Sequence, residues 1–187
     1  RVAALVDKGV TPGLGTVLVG DDGPSQKYVS MKHDDCAALG IASTDVRLGA
    51  NATQAEVRET VFELNSDPSV DAFIVQYPFP VGLDYERAIL EVDPDKDVDG
   101  LHPVNLGWLV MGREAPLACT PAGILRLLEH YEIPVAGRHV VVVGRGRIAD
   151  RQASILAAVF RIAIEIEEAH VAHANAAEAR GAASERV

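Results

Sequence analysis

A lysine lies on a largely apolar face of a predicted helix. At about 100° per residue, the helix after the first predicted strand places Tyr28, Val29, Lys32, Cys36 and Leu39 on one face. A lysine in such a stripe extends its amine to solvent, pairs with a carboxylate, or faces a pocket. In a pocket, a partly desolvated amine becomes a usable acid or base near neutral pH. The residues alone leave the solvent-exposed and the functional interpretations open.

A proline-rich loop presents a second polar side chain. Gln76-Tyr-Pro-Phe-Pro80 follows an apolar strand, and its prolines end the strand and restrict the loop. The loop therefore could hold the Gln76 amide at a fixed place. An ordinary strand exit is the alternative.

Two groups of acidic residues and histidines raise the question of a metal. The first comprises Asp95, Asp97, Asp99 and His102, and the second comprises Glu167, His170 and His173. The aspartate spacing resembles the start of a calcium loop, but the glycine and glutamate that complete such a loop are missing. Solvated acidic surfaces are favoured in both places, so the sequence predicts no metal site.

A glycine-rich turn follows a strand-like run late in the chain. His139-Val-Val-Val-Val143 leads into Gly144-Arg-Gly-Arg-Ile-Ala149, formally G-x-G-x-x-A. Its glycines would let backbone N–H groups approach a cofactor phosphate. Asp150 weakens this match, because its carboxylate lies where the anion would bind.

Alternating strands and helices must position these residues. Strand-like runs occur at 16–19, 45–48 and 70–75, and helical patterns occur at 25–39, 53–64 and 84–91. Ser25 is the predicted cap of the first helix, and Thr53-Gln-Ala-Glu56 is a capping box. Strands that are apolar on both faces predict an α/β fold with a parallel sheet covered by helices. The ligand crevice is then expected beyond the carboxyl ends of the strands, at 20–25 and 76–80.

The composition of the chain excludes several classes. With 187 residues and a net charge of −10, it lacks the basic surface that nucleic acids or anionic membranes require. No run of about 18 apolar residues occurs. Cys36 and Cys119 cannot form a disulfide framework and suit a reducing cytoplasm. The chain opens at Arg1 with a helix-like sequence and no initiator Met, which predicts a fragment.

Four motifs in order resemble one enzyme family. They are Tyr28-Val-Ser-Met-Lys32, Val75-Gln-Tyr-Pro-Phe-Pro80, Lys96-Asp-Val-Asp-Gly-Leu-His-Pro103 with Asn105-Leu-Gly107, and Cys119-Thr-Pro-Ala-Gly123. This series is similar to that of the FolD family, the bifunctional methylenetetrahydrofolate dehydrogenase/methenyltetrahydrofolate cyclohydrolases. The resemblance covers roughly residues 12–146. Beyond Gly144, Arg145 and Ile148, the cofactor motif departs from the family pattern.

The resemblance implies roles for residues on the folate side. Lys32 would be the catalytic acid/base, and Gln76 would hydrogen-bond Lys32 and tune its protonation. Tyr28 would stack along the folate, and Asp99 would bind the pterin ring. Tyr77 and Pro78 are further expected substrate contacts.

On the cofactor side, the resemblance implies NADP binding at Gly144, Arg145 and Gly146. It also implies three segments: a folate-binding catalytic domain at 1–118, a connecting helix and first strand of an incomplete Rossmann-type NAD(P)-binding domain at 119–150, and a tail at 151–187. The tail is rich in alanine and contains no proline. It is predicted to be helical and unlike the family.

The implied activity is oxidation of 5,10-methylenetetrahydrofolate by NADP⁺, followed by hydrolysis of the methenyl product to 10-formyltetrahydrofolate. Because the cofactor motif departs from the family, hydrolysis is expected more than hydride transfer. A folate-binding remnant without turnover and an unrelated nicotinamide-dependent dehydrogenase are the alternatives. The family pattern further implies a cytoplasmic homodimer, although the divergent cofactor domain weakens that expectation for the dimer.

Overall fold

The structure, a computed structural model, describes residues 1–134, 138, 140–143 and 164–167. It divides into two compact units, Arg1–Cys119 and Thr120–Val187. In the first unit, the helices and strands are α1 (Val2–Val6), β1 (Gly13–Val19), α2 (Gly23–Leu39), β2 (Ala42–Leu48), α3 (Gln54–Ser66), β3 (Ala72–Val75), α4 (Tyr85–Glu91), a 3₁₀ turn (Pro94–Lys96) and α5 (Pro103–Val110). Helix α6 (Cys119–His130) begins at the last residue of this unit, and strands β4 (Val140–Val143) and β5 (Ile164–Glu167) belong to the second.

A three-stranded parallel sheet with the order β2-β1-β3 organises the first unit. Val17 of β1 pairs with Val46 of β2 on one side and with Val75 of β3 on the other. Parallel neighbours require crossover connections, which α2 and α3 supply. The predicted α/β class and the parallel sheet are therefore confirmed.

Side chains on the two faces of β1 alternate, as the pleat requires. Val17 and Val19 pack with Val57 and Val61 of α3 in the main apolar core. On the opposite face, the Thr16 hydroxyl lies 2.9 Å from His33 Nε2 of α2. Helices thus contact both faces of the central strand. Nearly all residues of β1 and β3 are buried.

The edge strand β2 differs from the expectation of strands that are buried on both faces. Its residues from Ala42 to Asp45 are exposed. The polar sequence Ser43-Thr-Asp45 is typical of an edge strand that faces solvent on part of its surface.

The helix starts in the structure agree with the sequence pattern for α3 and differ from it for α2 and α6. The capping box of α3 forms as predicted. The α2 cap is Asp22, not Ser25, because the Asp22 carboxylate accepts the backbone N–H of Ser25 at 2.9 Å. Thr120-Pro121 has the hydroxyl cap and the proline at the first helical position that favour a helix start, but helix α6 begins at Cys119, so Thr120 lies within the helix and does not cap it. Helix α5 was not expected from its polar surroundings, and the His102 ring nitrogen Nδ1 caps it by accepting the Val104 N–H.

We predict that Thr53→Ala lowers the free energy of unfolding by about 1 kcal/mol, or the melting temperature by roughly 2–4 °C. The substitution removes the acceptor of the Glu56 N–H, now 3.2 Å from Thr53 Oγ1. Thermal unfolding followed by circular dichroism measures the change. Thr53→Ser keeps the hydroxyl and should restore stability, and equal losses in the two variants would contradict the cap.

The second unit contains a strand that the sequence did not predict. β5 lies within the alanine-rich tail and pairs in parallel with β4, with Val140 opposite Ile164. The prediction of a helix is therefore wrong for Ile164–Glu167. The run Ile164-Glu-Ile-Glu167 alternates apolar and acidic residues with the period of a strand. Pairing with β4 outweighs the high helix propensity of the surrounding alanines, because tertiary contacts override local propensity.

In the part of the chain that the structure describes, no helix has the length and apolar character needed to cross a membrane.

Candidate active site

The central feature of the site is a contact between α2 and the loop after β3. The Lys32 Nζ donates a hydrogen bond to Gln76 Oε1 at 2.9 Å. Lys32 is half-buried, so its amine is neither fully hydrated nor sealed in the core. The Lys32 side chain therefore does not simply extend to solvent, because its amine has a defined partner on the loop after β3.

The orientation of the Gln76 amide is set by its own loop. Gln76 Nε2 donates to the Tyr77 carbonyl oxygen at 2.7 Å, which directs Oε1 toward Lys32. The Gln76 backbone N–H continues the sheet pattern by donating to the Val17 carbonyl oxygen at 2.9 Å. The amide oxygen is therefore held by the end of the sheet and accepts from the lysine without needing to reorient.

The start of α2 is tied to the same loop. The Ser25 hydroxyl lies 2.6 Å from Asp22 Oδ2 and 3.4 Å from the Tyr77 carbonyl oxygen. Gly20, with φ of +90°, approaches Pro80 so closely that a Cβ there would lie 2.8 Å from Pro80 Cγ. Glycine tolerates both the positive φ and this approach. These contacts keep the helix carrying Lys32 against the loop carrying Gln76.

Asp99 provides the acidic group of the site. Burial raises the pKa of its carboxyl above the ordinary value of 3.8, and the charge of Asp97 raises this pKa further. The nearby Lys32 ammonium and a hydrogen bond from the Cys119 thiol act in the opposite direction and lower it. Lys32 and Asp99 are thus close enough to influence each other's charge. A carboxyl with a raised pKa can remain protonated at higher pH and donate a hydrogen bond.

Cys119 adjoins the site although the sequence analysis did not select it as a site residue. Desolvation raises the pKa of its thiol above 9.0, and both the charge of Asp99 and the hydrogen bond to Asp99 raise this pKa further. The charge of Lys32 lowers the pKa of the thiol. In the sequence, Cys119 could have been recognised as a site residue because it follows Ala118 and begins the Cys-Thr-Pro motif. The thiol therefore stays protonated and acts as a hydrogen-bond donor to Asp99.

The remaining residues that the family resemblance implicates lie on α2 and on the loop after β3. Tyr28 lies one turn before Lys32 on α2 and is 61% exposed, and Tyr77 is 50% exposed, so both rings are available to a ligand. The Tyr77 ring makes an edge-to-face contact with Tyr85 at 5.2 Å between centroids. The Tyr77–Pro78 peptide bond is cis, and Pro78 follows Tyr77 on the loop that holds Gln76.

The acidic segment has roles other than metal binding. Asp97 is buried and its carboxylate accepts the His102 N–H at 2.8 Å. Asp99 instead faces Lys32 and Cys119. Within the described ranges, no group of three or more His, Cys, Asp or Glu side chains is arranged to hold a metal ion. The cofactor residues Gly144, Arg145 and Gly146 lie outside the described residues, as do His170 and His173.

We predict that Asp99→Asn makes the protein more stable than the wild type at neutral and alkaline pH. A raised folded-state pKa means that the folded protein binds more protons than the unfolded chain, so stability falls as pH rises through that pKa. Asparagine resembles the protonated acid and removes this loss. Urea unfolding from pH 4 to pH 8 should show the two proteins converging at the acid end. A variant that is less stable at pH 8 would contradict the prediction.

Comparison with known proteins matches both units. The model of the tetrahydrofolate dehydrogenase/cyclohydrolase catalytic domain matches residues 1–99, and that of the NAD(P)-binding domain of the same family matches residues 118–182. The second match corrects the expectation that nothing after about residue 150 resembles the family.

Individual relatives agree with these models. The chain is 52% identical over 156 residues to the bifunctional protein FolD of Syntrophotalea carbinolica, covering 83% of this chain and 54% of that protein. The bifunctional enzyme FolD of Campylobacter jejuni superposes with a TM-score of 0.82 at 34% identity, covering 90% of this chain and 60% of that one. The Trypanosoma brucei enzyme, solved with NADP cofactor and inhibitor, gives 0.81 at 35% identity, covering 88% of this chain and 57% of that one.

The chain thus spans little more than half the length of these relatives. A catalytic-domain match over more than half of the chain, together with the motifs gathered around Lys32 and Gln76, places the chain in the tetrahydrofolate dehydrogenase/cyclohydrolase family.

Proposed function

We propose that this chain carries the folate-side machinery of a methylenetetrahydrofolate dehydrogenase/methenyltetrahydrofolate cyclohydrolase, with Lys32 as the acid/base of the hydrolytic step. The observation that carries the proposal is the Lys32–Gln76 hydrogen bond at 2.9 Å beside Asp99. It joins α2 to the carboxyl end of the sheet, where parallel α/β folds bind ligands.

In the proposed hydrolysis, water adds to the cationic methenyl carbon of 5,10-methenyltetrahydrofolate. The bond from that carbon to N5 then breaks, which yields 10-formyltetrahydrofolate and releases one proton. An amine is suited to accept the proton of the attacking water and to return one to the departing nitrogen. Gln76 Oε1 supports this role because it engages one N–H of Lys32 and leaves the rest of the amine facing the site.

Asp99, Tyr28, Tyr77 and Pro78 are proposed to bind the substrate. A protonated Asp99 can donate to a ring nitrogen or accept from an amino group of a pterin. The exposed Tyr28 ring offers a face for stacking along an aromatic part of the folate. Neither role requires a metal.

The NAD(P)-binding domain match supports NADP as the cofactor. Strand β4 ends directly before Gly144-Arg-Gly146 in the sequence, and glycines in that position suit a dinucleotide phosphate. When bound, NADP⁺ would accept the hydride that converts methylene- to methenyltetrahydrofolate.

We further propose a cytoplasmic location, a role in providing formyl groups for purine biosynthesis, and assembly as a homodimer. The match to the family on both units disfavours an unrelated nicotinamide-dependent dehydrogenase. Activity assays distinguish the proposed enzyme from a folate-binding remnant without turnover.

The test measures two reactions on the purified chain. Loss of methenyltetrahydrofolate absorbance above the buffer rate reports hydrolysis, and NADP⁺ reduction with methylenetetrahydrofolate reports hydride transfer. Hydrolysis is expected with or without NADP⁺ reduction. Folate binding without either reaction would overturn the catalytic proposal and identify a binding remnant.

A further inference from the structure

The Asp97 carboxylate is buried beside the site without touching Lys32 or Gln76 through any described hydrogen bond. Its residue is 5% exposed. It forms none of the ion pairs found among the described side chains. Burying an unpaired carboxylate is costly unless hydrogen bonds satisfy its oxygens. The buried Asp97 carboxylate is therefore expected to accept hydrogen bonds from neighbouring groups.

Those partners come from the turn that contains Asp99. Oδ1 of Asp97 accepts the Leu101 N–H at 3.2 Å, and Oδ2 accepts the His102 N–H at 2.8 Å. The Asp97 carbonyl oxygen also accepts the Gly100 N–H at 3.4 Å. Three consecutive backbone N–H groups thus point at one residue, and the turn that carries Asp99 closes around it.

A fourth donor connects the turn to α5. The Asn105 side chain, itself 5% exposed, donates to Asp97 Oδ2 at 2.9 Å and to the Pro94 carbonyl oxygen at 2.8 Å. Asp97 also forms an isolated parallel bridge with Phe73 of β3. Asp97 therefore joins the Asp99 turn both to the helix that follows it and to the sheet that carries Gln76.

The far side of the turn is restricted as well. Gly100 has φ of +64°, and a Cβ at this position would overlap the Pro116 carbonyl oxygen. The segment from Pro116 leads to Cys119, whose thiol donates to Asp99. The Asp99 carboxyl is consequently fixed between a turn held by Asp97 and a thiol held by the next segment.

We propose that Asp97, assisted by Asn105, is a positioning residue that fixes the Asp99 carboxyl beside Lys32 and Cys119. The proposal rests on the proposed function for the meaning of Asp99 in folate binding, but its geometric part concerns this chain alone. It assigns different roles to two aspartates that the motif Asp97-Val-Asp99 presents as equivalent.

The experiment has one readout that needs no folate. Cys119 is exposed and Cys36 is buried, so alkylation by iodoacetamide followed by mass spectrometry reports the Cys119 thiol. Asp99→Ala should accelerate this alkylation severalfold, because loss of the hydrogen bond and of the negative charge increases the thiolate fraction. Asp97→Ala should do the same by displacing Asp99, and the double variant should react no faster than Asp99→Ala.

The second readout is the Kd for tetrahydrofolate by calorimetry. Asp99→Ala and Asp97→Ala are each expected to raise the Kd by up to about tenfold, which corresponds to the loss of one typical hydrogen bond. Adding Asp97→Ala to Asp99→Ala should change it little, because residues that act through one contact are not additive. Asp95→Asn, on the exposed side of the same segment, is the matched control and should leave both readouts at wild-type values.

Additive effects in the double variant, or wild-type alkylation in a folded Asp97→Ala protein, would overturn the positioning role. If Asp97→Ala does not fold, Asn105→Ala removes a single donor to the same carboxylate. This variant should change the alkylation rate of Cys119 in the same direction by a smaller factor. An unchanged alkylation rate in Asn105→Ala overturns the proposal. A wild-type chain that does not bind tetrahydrofolate contradicts the proposed function instead, and the alkylation series still decides the role of Asp97.

Discussion

Replacing Lys32 with methionine is expected to reduce the proposed hydrolysis of methenyltetrahydrofolate by roughly 10²–10⁴-fold, the usual contribution of a general acid or base. Methionine has a similar length and keeps the apolar contacts of α2, but it cannot exchange a proton. It also removes the hydrogen bond to Gln76 Oε1. The Kd for tetrahydrofolate should change by less than about threefold, because the expected binding contacts lie on Tyr28, Tyr77 and Asp99.

The matched control for this variant is Lys27→Met. Lys27 lies on the same helix and is exposed, so its loss makes the same change of charge and side chain outside the Lys32–Gln76 contact. Single-turnover hydrolysis and calorimetry on both variants separate chemistry from binding. Full hydrolysis by Lys32→Met, or an equal loss in Lys27→Met, would rule out Lys32 as the acid/base.

The second large effect is on stability. Gly13→Ala should destabilise the chain by about 3 kcal/mol, the upper part of the range for overpacking, and lower the melting temperature by roughly 6–12 °C. An added Cβ would overlap the Ser69 carbonyl oxygen. The backbone cannot easily retreat, because the Gly13 N–H donates to Asp71 Oδ2 at 2.7 Å and the Gly13 carbonyl accepts the Asp71 N–H at 2.9 Å.

Gly23→Ala provides the comparison for Gly13→Ala. Apart from its chain neighbours and the nearby backbone of its own helix, no heavy atom lies within 4 Å of the position that its Cβ would occupy, so the stability of this variant should stay within about 0.5 kcal/mol of the wild type. Urea unfolding midpoints at constant m-value measure both variants. Similar midpoints for Gly13→Ala and the wild type would mean that the turn around Ser69 relaxes without cost.

Local signals in the sequence predicted those parts of the structure that local interactions determine. The capping box at Thr53 involves residues three apart, and the Lys32 stripe follows from helix periodicity, so both were visible in the sequence. Asp22 and Ser25 compete for one cap, and both carry a suitable oxygen. The sequence cannot rank them, because the choice depends on the Ser25 hydroxyl also approaching the Tyr77 carbonyl.

Contacts between distant residues explain the larger differences. The pairing of β5 with β4 overrides local propensity. Asp97 and Asp99 are alike in sequence, and only the fold turns one toward backbone N–H groups and the other toward Lys32. The hydrogen bond from Lys32 to Gln76 spans 44 residues, so its formation depends on the register of β3 against β1.

That register has a consequence for which changes in chain length the protein can tolerate. Gln76 follows β3 directly, and neighbouring strand residues point to opposite faces. Deleting one residue between Asp71 and Gln76 would turn the amide away from Lys32 or force the apolar residues of β3 out of the core. The turn after α4 has no such constraint on the Lys32–Gln76 pair. Insertions and deletions in homologous chains should therefore avoid β3 and its loop, even where individual substitutions there are common.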